Sequence, residues 1–599
     1  MALFWAYLAV KSLMGSLSRR LVIQRSNVYS LFIPALSYTL SLYWEQCVNK
    51  FVPKPYLDEV FHIRQAQAYC HGNYTVWDPK ITTPPALYVI AAAGAVLTRA
   101  FSKQFCSIHQ LRLSNCHALL LTFYYAHSCR RHIVKKWARN RDLLDVDALH
   151  TAFNITLFPP LFFFSGLFYT DVLSICCVLV SYKLYLERND ERTNLRLNLL
   201  CSFIVGILCL LIRQTNIFWV AIFLGALQLV ETIKLHQIKE EILKSSIIRY
   251  QFLSKFLKKY CIQKLHDPSL EEAGVFDFLQ CALSIINIII FQPAVLTSIV
   301  TNFWLLVSFG LFIYWNDGVV LGDKSNHVAT IHLPQILYLW PLITFFSAPL
   351  LIPAGISFFR RLNYQISRHV FISISRSNLQ STLHITGGLI LCLATIKYNT
   401  IIHPFTLADN RHYMFYIFRY TILRHPAIRF LLAPIYAVCS ALVYKSLCLT
   451  APDIQKRKYS SSLLVRPSEV PKQDKSTERI PITPTVSFAI ILFSATTLSL
   501  VTAPLVEPRY FITPWVLWRL NIPMNVSKEL VSKSNTSGLR TNNLVFTALN
   551  KSKSNMRHNK WLWLETTWLI LINLITGFIF LHKGFEWPQE PGNVQRFMW

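Results

Sequence analysis

Apolar runs of roughly 17–25 residues, the length that crosses a bilayer as a helix, recur along the chain between short polar stretches. They fall near 29–46, 113–129, 149–169, 172–187, 197–212, 217–231, 294–315, 332–354, 382–399, 427–449, 485–504 and 562–581. Three further stretches, 85–101, 276–292 and 511–520, are apolar but ambiguous. Thr82-Thr83-Pro84-Pro85 would break a helix entering 85–101 from the loop before it, so a re-entrant or surface-lying helix is expected there. The pattern predicts an all-α polytopic membrane protein with about 12–14 transmembrane helices. Its expected parts are a cytoplasmic N-terminus (1–28), a transmembrane domain (29–449) with a first loop over 47–112, a polar linker (450–481) and C-terminal membrane segments (482–599).

Composition agrees: 53% of the 599 residues are hydrophobic and 15% are charged, against about 25% charged in soluble domains. The net charge of +29 sits in loops between spans, at Arg130-Arg131, Lys135-Lys136, Lys234 through Lys264, Arg360-Arg361 and Lys456-Arg457-Lys458. Such clusters hold loops in the cytoplasm, and a nucleic-acid role is set aside on that ground. Some of this charge is expected to meet anionic lipid headgroups, making membrane lipid a partner. Threading the chain with every basic loop inside leaves six mixed polar clusters on the other face. They are Asp58 to His62, Tyr169 to Asp171, Arg213 to Asn216, Gly322 to His327, Leu407 to Tyr413, and Glu507 to Tyr510. With the basic residues between 528 and 560 inside as well, 511–520 is expected to re-cross. The polar stretches 450–481 and 525–558 read as a flexible linker and a disordered segment. No internal repeat is visible, which weighs against transporters built from duplicated halves. Fourteen cysteines occur singly or as Cys176-Cys177, with no Cys-x-x-Cys or Cys/His spacing, so neither a zinc site nor a disulfide frame is expected.

Within those clusters, Asp58 and Glu59 are adjacent and face different directions on any regular backbone, so one of them is the candidate general base. The bland alternative is a helix cap, or a partner for His62 or Arg64. Asp58 and His62 share a helical face, yet no third ligand is evident and no metal is expected. Arg213, Lys324, Arg411 and Arg509 are candidate phosphate contacts, arginine offering a planar fork to phosphate oxygens. Singly, each reads equally well as a residue snorkelling at a span end. His327 and His412 lie near them in sequence, and Asp323 and Asp409 are expected to pair with the cations. Tyr413, Tyr416, Trp315, Trp515 and Trp518 read first as an interfacial aromatic belt and second as a platform for sugar.

These motifs are shared with a known family. Pro55-Tyr56-Leu57-Asp58-Glu59-Val60-Phe61-His62-Ile63, Trp77-Asp78-Pro79-Lys80-Ile81, Gly322 to His327, Leu407 to Tyr413, Glu507-Pro508-Arg509-Tyr510-Phe511-Ile512 and the terminal Gln595-Arg596-Phe597-Met598-Trp599 resemble, in order, the α-1,2-glucosyltransferases that use dolichyl phosphate glucose. The resemblance implies a C-type glycosyltransferase fold in the endoplasmic reticulum membrane with a lumenal site. It implies dolichyl phosphate glucose as donor and Glc2Man9GlcNAc2-PP-dolichol as acceptor, with no cofactor and no obligate protein partner. It places catalysis at Asp58, with Glu59 beside it. The polar clusters themselves supply the substrate-binding candidates His62, Arg213, Lys324, His327, Asp409, Arg411, His412 and Arg509. The proline at Pro84 and the long linker depart from the family pattern without touching the charged motifs. Charge and hydropathy alone leave two rivals: another dolichyl-phosphate-sugar transferase of the same fold, and a transporter with a lumenal gate.

Overall fold

A computed structural model describes residues 26–98, 105–135, 141–246, 264–324, 330–369, 376–448, 484–503, 505–523 and 560–599. The described chain is helical apart from isolated bridges and one hairpin, Phe585–Glu586 paired antiparallel with Val594–Gln595. Among the described residues five helices are long and apolar enough to cross a bilayer: Leu195–Ile212, Gln214–Ile238, Pro293–Asn316, Pro426–Leu447 and Lys560–His582. Two bent helix pairs raise that number to seven, and Ala86–Leu97, Val275–Phe291 and Val486–Val501 are shorter apolar helices. Ser26–Phe51 and Ile108–Lys135 are longer still but mix polar groups into their apolar sequence. Several of those groups turn inward: Ser37, Ser41, Glu45, Arg112, Asn115 and Thr122 are all buried, away from lipid.

Ile108–Lys135 gives the bundle its two ends. Arg112 binds the first loop at one of them, the site end; Arg130 lies about 27 Å along the helix at the far end. Thr170–Glu187 runs the same way, from Asp171 to Glu187, which lies 3.7 Å from His132. Leu195–Ile212 returns and delivers Arg213 to the site end. Pro293–Asn316 ends beside the first loop, where the Leu321 amide donates to the Thr82 carbonyl. Val275–Phe291 stays tethered at the far end, through His266 to Asp277 and Ser284 and through Asp267 to Ser487. The chain then recrosses from Glu507. The 3-10 turn Pro508–Phe511 and the buried helix Ile512–Leu520 lead to the carbonyls of Leu520 and Ile522, which accept from Arg130 Nη1 at 2.8 and 2.6 Å. A helix of nine residues suffices because protein, not lipid, surrounds it.

Proline marks the start of several helices, since its missing N–H falls where no intrahelical bond is needed, although Pro34, Pro341 and Pro353 lie inside helices. Pro159, Pro334, Pro404, Pro426 and Pro508 all sit in first turns, and His403 and His425 cap the helices after them by accepting backbone N–H groups. As expected, Ala86–Thr98 is too short to span and starts just after Pro85. Other expectations are corrected. The run 332–354 is not one straight span but bends by 101° at Ser347, because Pro349 cannot continue the helix before it. The helix expected over 149–169 ends at Thr156, restarts at Pro159 and meets Thr170–Glu187 at 115°. Trp515 and Trp518 form no belt but are core residues; Trp515 stacks on Phe158 with centroids 3.9 Å apart, and its Nε1 donates to Ser347. Cys70 and Cys106 form a disulfide across the first loop, 36 residues apart, too far for any short spacing to announce it. The stretches 450–481 and 525–558 lie outside the described residues.

Candidate active site

The site is built on the first loop, and one arginine pins that loop. Arg112, fully buried, uses all five of its N–H groups: Nε and Nη2 donate to the two oxygens of Glu59 at 2.8 and 2.6 Å, Nη1 to Asn49 and the Val52 carbonyl, and Nη2 also to the Lys54 carbonyl. Glu59 also accepts from the amides of Tyr56 (3.1 Å) and Phe168 (2.8 Å), and its side chain is 0% exposed. Its neighbour Asp58 turns the other way. Leu57 holds a left-handed φ of 55°, a costly conformation for a branched residue, and the helix Glu59–Cys70 starts without a cap from the Asp58 carboxylate. That carboxylate is therefore available, and half of the side chain is exposed.

Arg509 is its partner, donating from Nη1 to Asp58 Oδ2 at 3.1 Å and from Nε to Glu507. Surrounding protein strips water from Asp58 and would raise its pKa. The Arg509 guanidinium, with His62 and His412 nearby, outweighs this and holds the carboxyl below the ordinary range. His62 is pushed down to about 4, chiefly by burial, against the opposing pull of Asp58; its Nδ1 meets the Tyr88 hydroxyl at 2.6 Å. Asp171 and Arg213 complete the cluster, bound to each other at 2.8 Å and close enough for their charges to act on His62. Arg213 and Arg509 spend only one and two of their five N–H groups on protein partners among the described residues, which leaves donors for an anion.

The other candidate cations are more committed. Lys324 folds back to the carbonyls of Asn316 and Asp317 and closes the end of Pro293–Asn316. Its loop presses on the first loop at Gly322, where any Cβ would collide with the carbonyls of Pro79 and Ile81. Arg411 grips both oxygens of Asp409, bonds Gln595 through Nη1 and stacks 4.5 Å above Trp587. Asp409 is held below the ordinary carboxylate range because Arg411 outweighs the effect of burial. His412 meets the Trp599 carbonyl through Nδ1 at 3.3 Å. His327 lies outside the described residues. Among those residues no group of three metal-type ligands gathers.

A family model for the DIE2/ALG10 family matches residues 52–520, most of the chain. The chain belongs to that family. Its relatives include a protein of Gibberella zeae, 38% identical over 96% of this chain and 94% of the relative, and one of Aspergillus fumigatus, 38% identical over 93% and 96%. A Mus musculus relative is 28% identical over 95% of this chain and 98% of its own length. Each is named Dol-P-Glc:Glc(2)Man(9)GlcNAc(2)-PP-Dol alpha-1,2-glucosyltransferase. Among solved structures, the apo oligosaccharyltransferase of Archaeoglobus fulgidus aligns at a TM-score of 0.25 with 13% identity, over 85% of this chain and 58% of that one, and nothing rests on it.

In this DIE2/ALG10 member the structure brings His62, His412 and Arg509 within electrostatic reach of Asp58 and Arg213 within reach of His62, and places Glu59 beneath them as a support. Sequence reasoning left Asp171 and Glu507 out of the site, although both stood in polar clusters it had marked. It missed Arg112 and Tyr88 entirely. A lone arginine at the start of an apolar run is a usable signal for the first; a tyrosine in Ala86–Thr98 offers none.

Proposed function

We propose that the protein transfers glucose in α-1,2 linkage from dolichyl phosphate glucose to Glc2Man9GlcNAc2-PP-dolichol, at the lumenal face of the endoplasmic reticulum membrane. Near full-length similarity to relatives bearing that name supports the reaction. The Cys70–Cys106 pair supports the side, because disulfides persist in oxidising compartments such as the reticulum lumen. The C-type glycosyltransferase architecture implied by the sequence motifs fits an all-helical membrane bundle with an acidic first loop.

The observation that carries the mechanism is the division of labour between two adjacent acids: Glu59 is sealed by four donors, whereas Asp58 has an accessible carboxylate held ionised by Arg509. The 2-hydroxyl of the acceptor's terminal glucose attacks the anomeric carbon and passes its proton to Asp58, the general-base half of an inverting displacement. The bond from anomeric carbon to phosphate oxygen breaks, and its electron pair leaves with dolichyl phosphate. That leaving group is already anionic and needs electrostatic support rather than an acid. Arg213 and Arg509, with N–H groups to spare, supply it without a metal cofactor. Arg411, Asp409 and His412 shape the wall, and Lys324 holds the neighbouring loop.

The decisive experiment supplies purified protein in vesicles with dolichyl phosphate glucose or dolichyl phosphate mannose and a diglucosylated acceptor. Glucose transfer yielding an α-1,2 linkage is expected. Transfer of mannose, or solute flux without lipid-linked sugar, would overturn the assignment.

A further inference from the structure

The C-terminal tail contacts both halves of the site. The helix Lys560–His582 is anchored deep in the bundle: Glu565 accepts from Arg519 at 2.8 and 2.7 Å and from Asn154 at 2.7 Å, and Gly577 lets Trp44 approach closely. Past His582 the chain folds into the hairpin of Phe585–Glu586 with Val594–Gln595, and then runs into the site. Arg596 donates to the carbonyls of Phe580, Leu581 and Phe51 at 2.8, 2.7 and 2.9 Å. Its own amide donates to the Tyr56 hydroxyl, which donates back to the Arg596 carbonyl, both at 2.7 Å. Tyr56 stands two residues before Asp58. On the other side the Met598 amide donates to the Arg411 carbonyl (2.9 Å), and the Tyr413 amide donates to the Met598 carbonyl (3.2 Å). Gln595 accepts from Arg411, Trp587 lies under the Arg411 guanidinium and donates to Asn410, and the Trp599 carbonyl meets His412.

We propose that residues 583–599 are a positioning element of the active site, clamping the 409–413 loop to the Tyr56–Asp58 turn. The tail touches both segments with paired hydrogen bonds, and each pair fixes a direction as well as a distance. Within this tail Arg596, Gln595 and Trp587 are positioning residues: they act through Tyr56, Arg411 and Asn410 rather than on substrate. A neutral residue under Arg411 suits this task, since a flat indole orients the guanidinium plane without competing with Asp409 for its N–H groups. The inference rests on the glucosyl-transfer reading for its kinetic consequence but not for its structural one.

Three variants test it in full-length protein or in protein lacking only residues 594–599: that deletion, Trp587→Ala and Trp587→Phe. Misplacing a reacting geometry by an ångström costs about 100-fold, so the deletion is expected to lower kcat by roughly that factor. Trp587→Ala is expected to lower kcat about tenfold, and Trp587→Phe, which keeps a ring under Arg411, to recover most of the loss, with the KM for donor moving less than kcat in both. Hydrogen exchange gives a readout independent of activity. In the deletion variant exchange should quicken at residues 56–58 and at the Tyr413 amide and stay unchanged in Leu195–Ile212. Unaltered exchange at those positions, or equal kcat for the two Trp587 variants and wild type, overturns the clamp. Wild-type protein that fails to transfer glucose, while exchange responds as expected, overturns the glucosyl-transfer reading and leaves the clamp standing.

Discussion

Asp58 and Glu59 are chain neighbours, and the structure assigns them opposite responses to substitution. Glu59→Ala, or Arg112→Leu, removes one member of an ion pair whose side chains are both 0% exposed, and leaves the other charge buried with its donors or acceptors unmet. Breaking such a pair costs about 3–5 kcal/mol, a large share of the stability of any domain. Asp58→Asn is mild by comparison. The Asp58 side chain is half-exposed, an amide oxygen still accepts from Arg509, and Arg509 keeps Glu507 as a second partner, so no charge is left buried and unpaired. What Asp58→Asn removes is the proton acceptor, with an expected loss in kcat of about 100- to 10,000-fold. Both quantities come from one preparation: glucose transfer from labelled donor, and a melting curve in detergent followed by recovery of monodisperse protein. Asp58→Asn should melt within a few degrees of wild type and be inactive, and Glu59→Ala and Arg112→Leu should melt far lower. Asp58→Asn with activity within tenfold of wild type, or Glu59→Gln that melts normally and is inactive, would refute this division and move the base to Glu59.

Three further outcomes follow from the same geometry. His62 has a folded pKa near 4 against an ordinary 6.5, so the unfolded chain binds the extra proton first; stability is lost as pH falls from 6.5 towards 4, and His62→Gln should flatten that part of a melting-temperature profile. Cys70 and Cys106 close a loop of 36 residues, worth about 4 kcal/mol in a chain-entropy account, so Cys70→Ser should lower the melting temperature, and mass spectrometry should find the two thiols protected from alkylation until reduced. Asn73-Tyr74-Thr75 is a glycosylation sequon in an exposed turn beside that disulfide; if the site end is lumenal, protein from eukaryotic membranes should lose mass on enzymatic removal of N-glycans, and Asn73→Gln should not.

Much of the fold was legible because a bilayer demands long apolar runs, and basic loops report the side on which they lie. The polar clusters therefore sorted to one face before any contact was known. What stayed hidden depends on direction and distance. Sequence could not say which way Asp58 and Glu59 point, since that turns on the left-handed Leu57 and on Arg112, 53 residues further along. Lys324 looked like a phosphate contact and is spent on the end of its own helix, a local choice that composition does not record. The bend at Ser347 needed Pro349 to be weighed against the apolar run around it. Arg411 and Gln595 are 184 residues apart, and no periodicity links them.

Arg509 stands between two carboxylates, Asp58 and Glu507. In the proposed reaction Asp58 becomes neutral at the instant the donor's phosphate gains negative charge. The guanidinium then exchanges one anionic neighbour for another while Glu507 keeps it anchored, so the net charge around Arg509 stays nearly level through the chemical step.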